Sequence, residues 1–450
     1  MQQFIHDSSG YAAVQRRLMH RYRTCVMLHP TMQPTTKFYG RRVVIAGGTL
    51  QFLQSMLLNQ AFGAYLAALV QDRGWSKTAL SGAAALKSME SALLGPVLGW
   101  MVDRYGSQRV VRAGVILFGL GFMLLSQTDT LVAFYSAFVV LALGASMCSN
   151  MVVSVAIIQW FEKNRARALS SSQFGAAIGG LFVFVVAWII ELYGWRVAAF
   201  GSGVLLIVCG WPLANMVKSR PEDMGQTIDG VPPETKAADT AKPASPGPAQ
   251  GEFTARQALR TSAFWYLSIG HACSLFVVSA INVHAIVHIK EGLGYSLAIA
   301  SLYITIATAG QFVGVMCGWV IPDRIEKRKV TAFSMLLHAS GMLMLTYATG
   351  PAVLVLSALV HGMGWGLRGP FISAMRADYF GRNSIGMILG LSSMIMVIGQ
   401  IGGPLIAGIF ADWQGNYRAG FTIIAALAAI GSLFFWMAKR PKLAKPRLGA

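Results

Sequence analysis

The chain has 450 residues, of which 55% are hydrophobic and 12% charged, and its 37 Lys and Arg outnumber its 18 Asp and Glu to give a formal charge of +19. Soluble globular chains are about one quarter charged; a chain this apolar, with a mean hydropathy of +0.54, cannot cover a water-facing surface and is not an ordinary soluble enzyme. A nucleic-acid binder or a membrane protein remains, and the positions of the charges decide between them.

Residues 1–41 are polar and basic, precede the first apolar run without a signal peptide, and read as a cytoplasmic tail. A helix needs roughly 20 apolar residues to cross the hydrocarbon core. Six such runs follow the tail, at 42–70, 77–101, 110–127, 131–158, 168–190 and 197–217. Residues 218–262 interrupt them. The part from Arg220 to Gln250 is rich in Pro, Ala, Thr, Asp and Lys, cannot bury a core, and reads as a flexible cytoplasmic linker. Six further runs occupy 263–289, 297–320, 330–348, 352–376, 384–410 and 418–438, before a cytoplasmic tail at 439–450. The runs are too long for strands and do not alternate with period two. The expected fold is an all-α polytopic membrane protein with twelve transmembrane helices, in an N-terminal six-helix bundle at 42–217 and a C-terminal one at 263–438.

Lys and Arg mark the cytoplasmic side of membrane proteins. With the N-terminus inside, 30 of the 37 basic residues lie in the tails and inner connections, five lie in outer connections, and Lys87 and Arg368 lie within spans. This bias puts both termini in the cytoplasm of a multi-pass protein of the cell membrane, plasma or inner. It also removes nucleic acid as a partner, because the charges are dispersed beside helix ends rather than gathered in a patch with aromatics. Cys148, Cys209, Cys273 and Cys317 lie in spans, where cysteine acts as a small hydrophobe, and no CxxC metal pattern exists. No cofactor is expected.

The two halves resemble each other. Gly99-Trp-Met-Val-Asp103-Arg104-Tyr-Gly106-Ser-Gln-Arg109 follows the second run, and Gly318-Trp-Val-Ile-Pro-Asp323-Arg324-Ile-Glu-Lys327-Arg328 follows the eighth. Trp160-Phe161-Glu-Lys163-Asn164 follows the fourth and Tyr379-Phe380-Gly-Arg382-Asn383 the tenth, at offsets of 219 or 220 residues. Duplicated six-helix bundles are the architecture of alternating access.

The string from Gly99 to Arg109 resembles the loop 2–3 signature of the major facilitator superfamily. Gly74-Trp75-Ser76, Arg165-Ala-Arg167-Ala168-Leu169, Tyr193-Gly194-Trp195-Arg196 and Arg220-Pro221-Glu222-Asp223-Met224-Gly225 resemble its monocarboxylate porter and oxalate:formate antiporter branch. The similarity runs from about residue 41 to 438. It implies that Asp103 contacts a neighbouring helix end and loop arginines when the cytoplasmic side is shut. Gly99, Asp103, Arg104, Gly106 and Arg109, with Asp323 and Arg324 in the second half, are then a cytoplasmic gate. A carboxylate there favours a helix N-terminus, Arg104 and Arg109 offer countercharge, and the glycines permit a tight turn. A solvated turn obeying the charge bias is the competing reading.

Ionisable groups inside a span are costly and so are functional candidates. Lys87 and Glu90 lie one turn apart on one face of the second span, and Arg368 lies near the middle of the tenth, so the three can meet near the midplane. A fixed cation can hold a small carboxylate, while Glu90 neutralises the empty site and takes up a coupled proton. A structural Lys87–Glu90 pair is the alternative. In the seventh span His284 reads either as lining the outer vestibule or as a helix contact, and HxxxH with His288 lacks a third metal ligand. His338 and His361 read as structural. Gln54, Asn59 and Asn150 are candidate cavity residues, and Tyr303 packs on substrate or between helices. The basic residues that the resemblance implies for the eighth and eleventh spans are absent; Tyr303, Thr305, Thr308 and Gln311 stand in the one, Ser392, Ser393 and Gln400 in the other. One free cation suits a monocarboxylate better than a dicarboxylate. The expected function is secondary transport of a small organic anion, a monocarboxylate foremost, by a monomer in the lipid bilayer with a coupled proton; the alternatives are anion exchange of the oxalate/formate type or transport of another small polar solute.

Overall fold

The computed structural model describes residues 38–75, 93–231, 252–321 and 325–442, and every regular element among them is a helix. Lys87, Glu90, Asp323 and Arg324 lie outside the described residues. The first span is α1, Gly40–Arg73; α2 is described at 93–105; α3 is Ser107–Ser126 and α4 Leu131–Trp160. The helical run Arg165–Met216 is 52 residues long, too long for one crossing, and is divided at Gly194, whose φ of 82° and ψ of 160° lie outside the helical region. It forms α5 (165–193) and α6 (195–216). In the second half α7 is Ser262–Gly292, α8 Leu297–Val320, α9 Lys327–Thr346, α10 Pro351–Phe380, α11 Ile385–Gln414 and α12 Arg418–Met437.

Among the described residues nine helical runs are long and apolar enough to cross a membrane. The division at Gly194, the less apolar α9 and the partly described α2 complete the expected order of twelve. Local chemistry explains the ends. Thr130 caps α4 by accepting from the Ala133 N–H at 3.2 Å, Thr261 caps α7, Ser296 caps α8, and Pro351 opens α10 where its missing N–H costs nothing. α11 has no such cap from its own chain neighbour Ser384.

Buried apolar side chains gather separately in the two halves. One cluster runs from Leu53 to Leu206, the other from Phe253 to Ala438. α6 and α12 expose large apolar side chains, among them Phe200, Val208, Leu433 and Trp436, as helices facing hydrocarbon do. The α5 and α11 helices start at Arg165 and Ile385 after turns of the same form, matching the internal repeat.

The α2–α3, α4–α5 and α10–α11 connections share one face, here named the basic face, and the two halves meet there. Gln159 Nε2 donates to the Arg382 carbonyl at 2.9 Å, and Arg382 returns a bond to the Gln159 carbonyl at 3.0 Å. Asp378 of α10 pairs with Arg165 of α5 and, at 2.9 Å, with Lys327 of α9. The Arg167 guanidinium lies 4.3 Å from the Trp319 ring centre. The described flanks of the expected linker are tied down as well. Asp229 accepts from the Glu162 and Lys163 N–H groups at 3.2 and 2.9 Å, and Glu252 accepts from the Asn383 N–H at 2.9 Å. Residues 218–231 are therefore not the loose chain that their composition suggests.

Candidate functional site

The seam at the basic face is built from α2 and α11. Gly99 is not a turn residue. It lies inside α2, where a Cβ would collide with the backbone of Gly386 and stand 2.9 Å from Met387 Cα. This approach brings Asp103 onto the first turn of α11. Its Oδ1 accepts from the Gly386 N–H at 2.8 Å and its Oδ2 from the Met387 N–H at 2.7 Å. Asp103 thus supplies, from the other half of the molecule, the cap that α11 lacks. Burial pushes its carboxyl up to about 6, against those two N–H bonds and Arg220, which favour the ionised form. Gly106 has φ of 83° and turns the chain from α2 into α3, with Ser219 packed against it. Arg104 and Arg109 are exposed and line a cleft of about 730 Å³ together with Lys218 and Arg220.

The buried polar centre lies in the second half, between α7, α9, α10 and α11. Arg368 is 3% exposed, donates from an NH1 group to the Ser274 hydroxyl of α7, and leaves its Nε without a partner. Arg376, two turns further along α10, is also 3% exposed. It donates to Ser392 of α11 at 2.5 Å and lies 3.4 Å from His271 Nδ1 of α7. Ser268 completes this network at 2.8 Å from Ser392. Neither guanidinium has a carboxylate partner among the described residues. Arg376 is the last residue of the tenth apolar run, where a basic side chain ordinarily reaches water; here it points inward from the last turns of α10.

The other candidates divide by environment. Gln54 is buried against a break in α4, where Ser149 is extended between two helical pieces. Gln54 Nε2 donates to the Ala145 carbonyl and Gln51 Nε2 to the Cys148 carbonyl, both at 3.1 Å, so α1 satisfies acceptors at that break. Asn150, the first residue beyond it, and Asn59, in a π-turn of α1, are exposed. His284 is half-buried, and both of its ring nitrogens are engaged. Its Nδ1 meets the Tyr417 hydroxyl at 3.2 Å and its Nε2 the Pro404 carbonyl at 3.1 Å, which fixes α7 to α11 and α12. Tyr303 is buried and its hydroxyl accepts from Ser357 at 3.4 Å, a contact between α8 and α10. The structure thus brings Arg368 together with Ser274, His271 and Arg376, while Gln54, His284 and Tyr303 hold helices together.

The model of the Major Facilitator Superfamily matches residues 44–367 and, again, 267–450. The chain belongs to this superfamily. Monocarboxylate transporter 13 of Bos taurus is 23% identical over 412 residues, 89% of each chain. The hexuronate transporter of Escherichia coli is 22% identical over 421 residues, 88% of this chain and 93% of its own. The major facilitator proton:xylose symporter XylE superposes with a TM-score of 0.71 at 14% identity, covering 90% of this chain and 97% of its own. The human organic anion transporter MFSD10 superposes with a TM-score of 0.66 at 14% identity, covering 88% and 99%. The chain is therefore a multi-pass membrane transporter with the major facilitator fold.

Proposed function

We propose that this transporter carries small organic anions, monocarboxylates foremost, across the cell membrane by alternating access, with the basic face cytoplasmic and a proton as co-substrate. The observation that carries this reading is Arg368, a buried guanidinium with an unpartnered Nε and no carboxylate partner among the described residues. Burying an uncompensated charge costs several kcal/mol (roughly 3–5 when a pair is broken). A substrate carboxylate offsets that cost and fits the planar donor fork. The names of the relatives, a monocarboxylate and a hexuronate transporter, support an anionic cargo.

In this cycle the seam is the cytoplasmic gate. Opening toward the cytoplasm separates Asp103 from the start of α11, Gln159 from Arg382 and Arg165 from Asp378. A second reading, anion exchange, is favoured by the presence of two guanidiniums without described countercharge, because an empty site of that kind is costly to reorient.

The test is uptake into proteoliposomes of labelled formate, lactate, pyruvate, acetate and oxalate, with and without a pH gradient. Acid-stimulated monocarboxylate uptake that is lost in Arg368→Ala is expected. Unchanged KM and kcat in that variant would remove the anion site. Uptake that needs internal substrate and ignores the pH gradient would select exchange.

A further inference from the structure

We infer that the buried pair His338–His361 is the proton-holding group of this transporter, loaded when an anion occupies Arg368. The inference rests on the anion site proposed above.

The two rings meet edge to face where α9 packs on α10, their planes 63° apart. Their Nδ1 atoms are 3.2 Å apart and their centres 4.9 Å. His338 is 0% and His361 1% exposed. Glycines bring the two backbones together. A Cβ at Gly341 would stand 2.9 Å from the His361 nitrogen, and one at Gly364 2.9 Å from the Ser334 carbonyl and 3.4 Å from the His338 nitrogen.

The contact dictates the tautomers. A bond between two Nδ1 atoms needs one ring to carry N–H there and the other to carry a lone pair. The donor ring is then left with a lone pair on Nε2, and the acceptor ring with an N–H on Nε2. Both Nε2 atoms are buried and have no partner. Two orphaned polar atoms are more than a structural bridge between helices requires, and such groups call for an explanation. The lone pair on the donor ring is the basic atom of the pair. A proton arriving there forms one new N–H, breaks no bond within the pair, and converts the existing bond to a charge-assisted one.

The groups facing the pair decide when that proton binds. Arg368 of α10 lies within electrostatic range of both rings, and His271 of α7 within range of His338. Arg376 stands beyond His271. α9 itself adds Lys327, Arg328 and Lys329 at the basic face; α12 carries only Arg418, at its far end. α8 contributes Cys317 and Tyr303, the latter joined to Ser357, one turn from His361. α5 has Arg165 and Arg167 at the basic face, and α11 has Asp412 near its opposite end. Among the described residues the near charges are all positive, so they repel the proton while the anion site is empty. An anion on Arg368 cancels that repulsion. Anion and proton therefore bind with positive cooperativity, and by linkage each tightens the other equally. The loaded carrier holds one anion and one proton more than the empty one, so both cross with the same net charge.

Nitrogen-15 NMR of the full chain, labelled at histidine and held in lipid nanodiscs, reads the pair without any transport substrate. Replacing Arg368→Gln is expected to tighten proton binding to the pair at least tenfold, a rise of one pH unit in its midpoint, while His284 does not move. Formate added to the unaltered protein is expected to raise the same midpoint. In proteoliposomes His338→Asn and His361→Asn are each expected to retain formate:formate exchange and to lose at least tenfold of acid-driven formate accumulation. An unmoved midpoint in Arg368→Gln, or undiminished acid-driven accumulation in both histidine variants, would overturn the inference. Formate affinity that survives Arg368→Gln refutes the anion site instead, because the substrate-free midpoint is read independently of it.

Discussion

Replacing Gly99→Ala adds one methyl group where α2 and α11 touch backbone to backbone in the basic-face seam. That methyl would stand 2.7 Å from the Gly386 carbonyl carbon and 2.9 Å from Met387 Cα, and closer still to the Gly386 oxygen. All three are backbone atoms, so no side chain can swing aside and the helices must part. Overpacking of this kind costs about 1–3 kcal/mol. The substitution also improves helix propensity by about 1 kcal/mol, but α2 is helical whether the seam is shut or open, so that gain cancels. At 1.4 kcal/mol per tenfold, the equilibrium should move roughly 5- to 150-fold toward the form open at the basic face. Spin labels at Glu222→Cys and Lys439→Cys, exposed positions on the two halves of that face, report the opening as a longer distance by double electron–electron resonance. Gly201→Ala on α6 is the control, since a Cβ there meets nothing within 4 Å. Identical distance distributions for Gly99→Ala and Gly201→Ala would refute the reasoning.

The same distance measurement checks two further expectations. Asp378→Asn leaves the buried Arg165 without its countercharge and should open the seam at least tenfold, and Arg165→Met in the same chain should restore closure. The Asp103 carboxyl is raised to about 6 in the shut form and returns to an ordinary value near 4 when solvated, so the shut form binds the proton more tightly. Closure at neutral pH carries the cost of a buried carboxylate, and that cost falls away as pH drops through 6. Acidification from pH 7 to 5 should therefore favour the shut form, with a flat response in Asp103→Asn. His284→Ala removes two bonds between helices and should lower stability by about 1–3 kcal/mol, seen as a lower Tm, while leaving the KM for monocarboxylate uptake unchanged.

Helix positions were largely legible from the sequence because a bilayer demands long apolar runs, and charges at their ends are the only exceptions it tolerates cheaply. The turn at Gly194 was legible for the same reason: Tyr193-Gly194-Trp195-Arg196 interrupts an apolar run with polar and turn-forming residues. Side-chain direction was not. A helix that is apolar all round gives no contrast between its faces, so nothing distinguishes His284, locked between two helices, from a residue lining a vestibule. Arg376 illustrates the converse. An arginine four residues from a helix end fits a charge that reaches water as well as one that turns inward, and only the positions of Ser392 and His271 on other helices separate the two. The glycine of a signature string was likewise read as a turn former, whereas Gly99 is needed for the approach of a helix far away in sequence. Contacts between distant segments carry no local periodicity, which is why the seam and the polar centre emerge only in three dimensions.

The anchoring of the inter-half connection has a mechanical consequence. Asp229 is tied to the α4–α5 turn of one half and Glu252 to the α10–α11 turn of the other. The stretch between the described flanks, 232–251, has 20 residues, and a chain of that length can span at most roughly 70 Å. Opening of the basic face carries Asp229 and Glu252 apart with the turns they bind, so serial deletion within 232–251 measures that separation: turnover should fall once the remaining contour is shorter than the gap between the two anchors.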